Sequence, residues 1–111
     1  MIPASVRIFV CTQPVDLRRS FDGLALATRQ MLGEDPRSGA LFCFLNRRSN
    51  RLKVLWFDRN GYCLLYKRLH RARFVLPDSG DPAKGSLRID GGALGALIRG
   101  VEGTSSRRVT Y

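Results

Sequence analysis

The sequence predicts a single α+β domain, in which a small antiparallel sheet of three to four strands packs one face against an N-terminal helix while a weaker C-terminal helix covers an edge. Three patterns lead to this class: a helical stripe after a first strand, three strand-like runs in mid-chain, and a glycine-interrupted helical stripe near the end. The 111 residues, 44% of them hydrophobic, suffice for one modest core but not for two. We therefore expect one domain over residues 1–102 and a loose basic tail over residues 103–111.

The first strand and helix follow from a change of period in the apolar pattern. Alternation over Val6 to Cys11 predicts a strand. The helix is predicted to begin after Asp16, a favourable N-cap, and to end at Gly33. Its stripe recurs at spacings of three and four and should pack on the sheet: Leu17, Phe21, Leu24, Ala25, Thr28, Met31 and Leu32. Gly23, inside the stripe, either permits close approach of a strand or marks a bend.

The middle of the chain contains three strand-like runs, Leu41 to Leu45, Leu52 to Asp58 and Tyr62 to Leu69. Asn60-Gly61 predicts a two-residue turn that joins the last two into a hairpin. This turn would set Lys53 opposite Arg68, Leu55 opposite Tyr66, Phe57 opposite Leu64 and Arg59 opposite Tyr62. The other face is more apolar and is expected under the first helix, with Trp56 in the core: it carries Leu52, Val54, Trp56, Asp58, Cys63, Leu65, Lys67 and Leu69.

The last third predicts a loop, a short strand and a second helix. Proline, glycine and aspartate are frequent over residues 75–86, which indicates a loop, and Leu87 to Ile89 follows as a strand. Asp90 is positioned to cap a helix whose apolar side is Leu94, Leu97, Ile98 and Val101. Four glycines weaken that helix: Gly91, Gly92, Gly95 and Gly100.

Cysteine usage and hydropathy exclude several classes of protein. Cys11, Cys43 and Cys63 are widely spaced in apolar runs, so we expect buried thiols and no disulfide framework. The lone His70 cannot complete a zinc site with them, and we expect no metal and no cofactor. No run approaches the roughly 20 apolar residues that span a bilayer, so we expect a cytoplasmic protein without a membrane partner.

Charge points to a polyanionic partner. Residues 47–73 hold nine of the nineteen Lys and Arg residues against one acid, Asp58, and the chain carries a net charge of +10. Trp56, Phe57, Tyr62 and Tyr66 interleave with these bases. Such a segment is typical of a nucleic-acid surface, although an ordinary solvated arginine-rich face gives the same composition. The predicted DNA contacts are Arg18, Arg19, Arg47, Arg48, Arg51, Lys53, Arg59, Lys67, Arg68, Arg71 and Arg73, with Tyr62 and Tyr66 as candidates for base stacking.

Two further patterns concern the helix start and catalysis. Arg18 and Arg19 would stand in the first helical turn, where cations oppose the helix dipole unless a ligand phosphate or Asp22 compensates. Asp16, Asp22 and Asp58 are the only plausible carboxylate trio for a metal-dependent reaction. Their positions, around a helix start and at a hairpin end, point them in different directions, so we expect no catalytic residue.

Three segments in this order resemble one known family: DLRRSFDGLA (Asp16 to Ala25), DPRSGALFCF (Asp35 to Phe44) and RLKVLWFDRNGYCLLYKRLHRARF (Arg51 to Phe74). They are similar to the TnpB accessory protein, the second open reading frame product, of the insertion sequence sixty-six group of bacterial transposable elements. The resemblance covers residues 1–75 well and the rest loosely.

The resemblance implies a small non-catalytic protein that acts beside a separate, larger transposase. Two functional hypotheses remain open at this point. In the first, the basic hairpin binds the element's DNA, at its ends, and assists transposase assembly. In the second, the chain is an interaction module that docks on the transposase or another element-encoded protein through a stripe of Leu55, Phe57 and Tyr66. The sequence leaves the oligomeric state open.

Overall fold

A computed structural model describes residues 5–77 and 85–102, and it confirms the α+β class. Its elements are β1 (Ile8–Cys11), α1 (Phe21–Ala27) continued by a π-helical turn (Thr28–Leu32), β2 (Leu41–Leu45), β3 (Arg51–Asp58), β4 (Gly61–Arg68), β5 (Ala72–Arg73), β6 (Ser86–Ile89), α2 (Gly91–Arg99) and β7 (Val101–Glu102). The predicted basic tail, residues 103–111, and most of the predicted loop lie outside the described residues.

The main sheet has five strands in the order β4-β3-β2-β1-β6, and β5 pairs with β7 in a separate two-stranded sheet. β1 and β2 are parallel, with Ile8 opposite Leu41, whereas the other pairs in the main sheet are antiparallel. The prediction of an antiparallel sheet of three to four strands was therefore right only in part, because the sheet has five strands and one parallel pair. A parallel pair needs a crossover connection, and α1 with its π-helical turn provides it between β1 and β2.

Both faces of the sheet are covered, each by one helix. Val10, Cys43 and Val54 face α2, while the alternate residues Phe42 and Leu55 face α1. Two predictions are thereby corrected: α1 covers the Leu55 face of the hairpin and not the Val54 face, and α2 covers a face and not an edge. Burial on both faces explains why β2 is apolar at every position, because a strand with both faces buried has no solvent-facing positions for polar residues.

α1 begins at Phe21, four residues later than an Asp16 cap requires. The Asp16 carboxylate accepts hydrogen bonds from the Arg18 backbone and side chain, and so closes a turn before the helix. Phe21 is 42% exposed instead of buried in the stripe. Gly33 ends the helical segment at a φ of 66°, as predicted. A Cβ at Gly23 would lie 2.9 Å from the Arg19 Cβ, so the close approach is to this turn and not to a strand.

The β3–β4 hairpin turns one residue earlier than predicted. Asp58 lies opposite Gly61, and Arg59 takes the left-handed conformation with a φ of 57°. The register is consequently shifted by two residues, so Lys53 lies opposite Tyr66 and not Arg68. An even shift leaves every side chain on its predicted face, because side chains alternate with a period of two.

α2 forms as predicted despite its glycines. The Asp90 carboxylate accepts a hydrogen bond of 2.8 Å from the Ala93 backbone N–H, which satisfies one of the free donors at the helix start. Leu94 and Leu97 are buried against the sheet. Val101 does not continue the apolar side of the helix. It lies in β7 and is 56% exposed, because the chain turns at Gly100 with a φ of 72°.

Candidate nucleic-acid interface

Three connecting segments lie side by side at one end of the sheet. The strand order fixes their order in space: residues 69–74 follow β4, residues 46–50 join β2 to β3, and residues 12–20 follow β1. The Phe74 N–H donates to the Ser49 carbonyl at 2.7 Å, and the Val15 N–H donates to the Leu45 carbonyl at 2.9 Å. The middle segment is therefore tied to its neighbour on each side. We call this end of the sheet the basic end, and we define it by Arg18, Arg47, Arg48, Arg51, Arg71 and Arg73.

Asn46 holds the middle segment in shape. Its Oδ1 accepts from the backbone N–H groups of Asn50 and Arg51 at 3.1 and 3.0 Å, and its Nδ2 donates to the Asn50 Oδ1 at 2.7 Å. This bracing leaves Arg47 and Arg48 exposed at the tip of the loop. The sequence prediction missed this role of Asn46, and the available signal was the pair of asparagines that flanks the two arginines.

Two open clefts adjoin the tip and share both of its arginines. The larger, of about 800 Å³, also contains Arg18, Arg51 and Lys53, and the smaller, of about 390 Å³, also contains Arg71 and Arg73. Among the described residues that line these clefts, Asp16 is the only acid. The basic end thus concentrates arginines that are distant in sequence, and Arg18 joins them from a different segment.

Asp16 offsets only one of the six arginine charges. The Arg18 side chain donates to it at 2.6 Å, and this hydrogen bond lowers the pKa of Asp16 to about 2. The carboxylate is therefore ionised at neutral pH and already paired. Arg18 and Arg19 both precede α1, which corrects their prediction as first-turn residues, and the helix dipole gives no separate argument for a phosphate there. Arg19 is exposed and lines neither cleft.

Lys53 is not an exposed phosphate contact, contrary to the prediction. It is 7% exposed, and its Nζ donates to the Arg19 carbonyl at 2.7 Å. The same Nζ lies 4.9 Å from the centroid of the Tyr66 ring, a cation–π distance. The Arg51 Nη1 hydrogen-bonds the Tyr66 hydroxyl. Tyr66 is thus half-exposed but held between two bases.

Lys67 is also engaged within the fold. Its Nζ donates to the Ile98 carbonyl at 2.9 Å, near the end of α2, where a cation complements the free carbonyls and the helix dipole. This contact holds the Lys67 ammonium against α2, and a DNA contact by Lys67 stays a prediction. Arg68 remains exposed and lies opposite Arg51 at the basic end.

Arg59 and Tyr62 lie at the opposite end of the hairpin. Arg59 is eight residues from Arg51 along β3, or roughly 26 Å at about 3.3 Å per residue. Tyr62 packs edge-on against Phe57 with ring centroids 5.1 Å apart, so its ring serves the core next to α1. The structure therefore separates these two predicted contacts from the basic end.

The thiols and carboxylates form no second site in the part of the chain that the structure describes. Burial raises the pKa of Cys43 to about 12 and also raises that of Cys11, whereas Cys63 is only half-buried, which corrects its prediction as a buried thiol. Across residues 5–77 and 85–102, no three His, Cys, Asp or Glu side chains group closely enough to hold a metal ion. The same residues include no helix long and apolar enough to cross a membrane.

A family model described as IS66 Orf2 like protein matches residues 6–108. The chain belongs to the IS66 Orf2-like family. This finding confirms the family predicted from the three sequence segments, and the family points to an accessory role in transposition.

Curated relatives of this IS66 Orf2-like chain come from Sinorhizobium fredii (strain NBRC 101917 / NGR234). The uncharacterized protein y4hO is 38% identical over 104 residues, which cover 92% of this chain and 88% of the relative. The uncharacterized protein y4jC is 34% identical over 103 residues, which cover 93% of this chain and 86% of the relative. No solved structure matches the chain significantly.

Proposed function

We propose that this IS66 Orf2-like protein is a non-catalytic accessory factor in transposition that binds the DNA of its element through the basic end and assists a separate transposase. One observation supports the proposal above the others: two adjoining clefts bring together six arginines, while the one acid that lines them is already paired with Arg18. Among the described residues the other five arginines have no carboxylate partner, and such a group favours a partner with many phosphates.

The chemistry of the side chains fits duplex DNA. Arginine presents a planar fork of donors that matches phosphate oxygens in pairs, and it is more weakly hydrated than lysine. The two lysines of the predicted site, Lys53 and Lys67, donate to backbone carbonyls within the fold, so the exposed cations of the basic end are mainly arginines. Contacts of this kind position a protein on DNA and are largely independent of base sequence.

A non-catalytic role agrees with the placement of the carboxylates. Asp16 is bound to Arg18, and Asp58 closes the hairpin at the end of the sheet opposite to the basic end. Asp22 lies in the first turn of α1. Strand transfer by a two-metal mechanism requires carboxylates that converge on one point, and we assign that chemistry to the transposase.

Docking on the transposase is the second candidate function. Its predicted stripe is not available, because Leu55 is fully buried and Phe57 is half-buried. An apolar cleft of about 640 Å³ on the α2 side, with Trp56, Leu65 and Ile98 in its lining, gives this function an alternative surface. Co-purification with transposase without any affinity for DNA would favour docking over DNA binding.

The test compares charge reversal at the tip with charge reversal elsewhere. Fluorescence anisotropy with a labelled duplex of the element terminus and a scrambled duplex, at about 50 and 200 mM salt, should show roughly a 500-fold loss of affinity for the five arginines that are not paired with an acid. In Arg47→Glu/Arg48→Glu, affinity should fall and the slope of log affinity against log salt should flatten by about two. The matched control is Arg29→Glu/Arg99→Glu, two exposed arginines that line neither cleft.

A preference for the terminal duplex would define an end-recognition factor, and equal binding to both duplexes would define a general DNA-binding factor. Equal effects of the two double variants would contradict the basic end as the contact surface. Failure of the wild-type chain to bind either duplex at low salt would exclude direct DNA binding.

A further inference from the structure

At the basic end, Arg47 and Arg48 line both clefts and therefore lie between them, which restricts how this end can meet a duplex. The strand order places the Arg47–Arg48 tip in the middle, with Arg18 on one side and Arg71 and Arg73 on the other. An exposed arginine tip with a basic cleft on each side matches a groove bounded by two phosphate backbones. From this arrangement we infer that Arg47 and Arg48 enter the minor groove of duplex DNA, while the flanking clefts hold the two backbones. The inference rests on the proposed function and adds which groove is read.

The spacing of the segments decides between the two grooves. The flanking segments leave the sheet from β4 and β1, three strand spacings or roughly 14 Å apart at about 4.8 Å each. Both then bend toward the tip, since the Arg19 carbonyl accepts from Lys53 of β3 and the Phe74 N–H donates to the Ser49 carbonyl. A minor groove about 6 Å wide fits inside that span together with its bounding phosphates. A major groove about 12 Å wide fills almost the whole span and leaves its phosphates outside the clefts.

The loop that carries Arg47 and Arg48 is ordered by hydrogen bonds in the free protein, which favours entry into a narrow groove. Asn46 makes three hydrogen bonds within the loop, and the Phe74 and Leu69 N–H groups donate to the Ser49 and Asn50 carbonyls at 2.7 and 2.8 Å. A loop that is already ordered loses little conformational entropy when it binds. Its arginines are weakly hydrated compared with lysines, and this favours entry into a groove with strong negative potential.

Minor-groove entry has a specific consequence for base composition. In that groove, A·T pairs present only acceptors, whereas G·C pairs add the guanine N2 amino group, a donor that obstructs an arginine. A-tracts also narrow the groove and strengthen its negative potential. The protein should therefore prefer A·T-rich duplexes, and it should respond to a chemical change in the minor groove and not to one in the major groove.

The experiment uses the full chain and four duplexes of equal length, with centres of A·T, G·C, inosine·C and 7-deazaguanine·C pairs. Inosine lacks the minor-groove amino group of guanine, and 7-deazaguanine lacks only the major-groove N7. We expect the A·T and inosine·C duplexes to bind at least roughly fivefold more tightly than the other two. Arg47→Lys/Arg48→Lys keeps the charge, so it should retain salt-dependent binding and lose most of this preference.

Each outcome separates the inference from the proposed function. Equal, salt-dependent binding of all four duplexes would overturn groove entry and leave DNA binding intact. A response to 7-deazaguanine without a response to inosine would overturn it in favour of the major groove. Absence of binding to every duplex would instead contradict the proposed function itself.

Discussion

At the scale of single residues, Lys53 shows how a basic side chain can belong to the fold and not to the surface. It is 7% exposed, and its ammonium group contacts the Arg19 carbonyl and the Tyr66 ring. A buried charge that loses its partners is costly, and a charge of the wrong sign beside a carbonyl oxygen is worse. Lys53 therefore links the turn before α1 to β3, and the turn carries Arg18 of the basic end.

Charge reversal at two neighbouring positions should have opposite effects on stability. Lys53→Glu should lower the free energy of unfolding by about 3 kcal/mol or more, because it buries an unpaired carboxylate. Arg68→Glu should raise the free energy of unfolding by a few tenths of a kcal/mol, because Arg68 is exposed and the new carboxylate would lie opposite Arg51. This value is near the lower limit of about 0.2–1 kcal/mol for cross-strand pairs. Urea denaturation followed by Trp56 fluorescence measures both. Equal midpoints for Lys53→Glu and the wild type would show that Lys53 is exposed.

At the scale of elements, Gly95 inside α2 and Gly100 directly after it have opposite structural roles. Gly95 is helical, and a Cβ there would meet its nearest atom, the Arg99 Nη1, at an ordinary 3.7 Å. Gly100 has a φ of 72°, and a Cβ there would lie 2.6 Å from the Leu69 Cδ1 and 3.0 Å from the Arg73 carbonyl oxygen. Gly100 thus allows the chain to leave α2 and pair β7 with β5, beside the smaller cleft.

Alanine at these two positions should shift the melting temperature in opposite directions. Gly95→Ala should stabilise by about 0.5–1 kcal/mol, since alanine restricts the unfolded chain and favours the helix. Gly100→Ala should destabilise by about 1–3 kcal/mol through backbone strain and the contact with Arg73. For a domain of this size, 1 kcal/mol corresponds to about 4–8 °C in scanning calorimetry. A gain in stability for Gly100→Ala would rule out the close approach between α2 and the 69–74 segment.

Most elements with local signals could be predicted from the sequence, whereas those that depend on distant pairing could not. Two local signals were misleading, because Asp16 caps no helix and the hairpin turns one residue earlier than Asn60-Gly61 predicts. β2 and α2 with its Asp90 cap were recognisable because period and capping lie within a few residues. The parallel pairing of β1 with β2 and the second covered face were not, because no local pattern specifies which strands become neighbours. The arginines of the site were visible as charge. The burial of Lys53 was not, since its acceptor, the Arg19 carbonyl, approaches only in the folded chain.

At the scale of the whole molecule, the charge that favours DNA binding opposes folding. The net charge is +10, and Arg51 and Arg68 even face one another across β3 and β4. Like charges held close together repel, and salt screens this repulsion over about 10 Å at 0.1 M. Added salt should therefore stabilise the free protein while it weakens the complex with DNA.

Neutralising the tip should separate these two effects within one variant. In Arg47→Gln/Arg48→Gln, the net charge falls from +10 to +8, since two positive charges are removed. The melting temperature in low salt should rise by roughly 2–5 °C, and the difference from wild type should vanish near 0.5 M salt because screening is then nearly complete. Arg29→Gln/Arg99→Gln makes the same change in net charge away from the clefts and should give less than half that rise. Equal rises would mean that total charge, and not its concentration at the basic end, sets the repulsion.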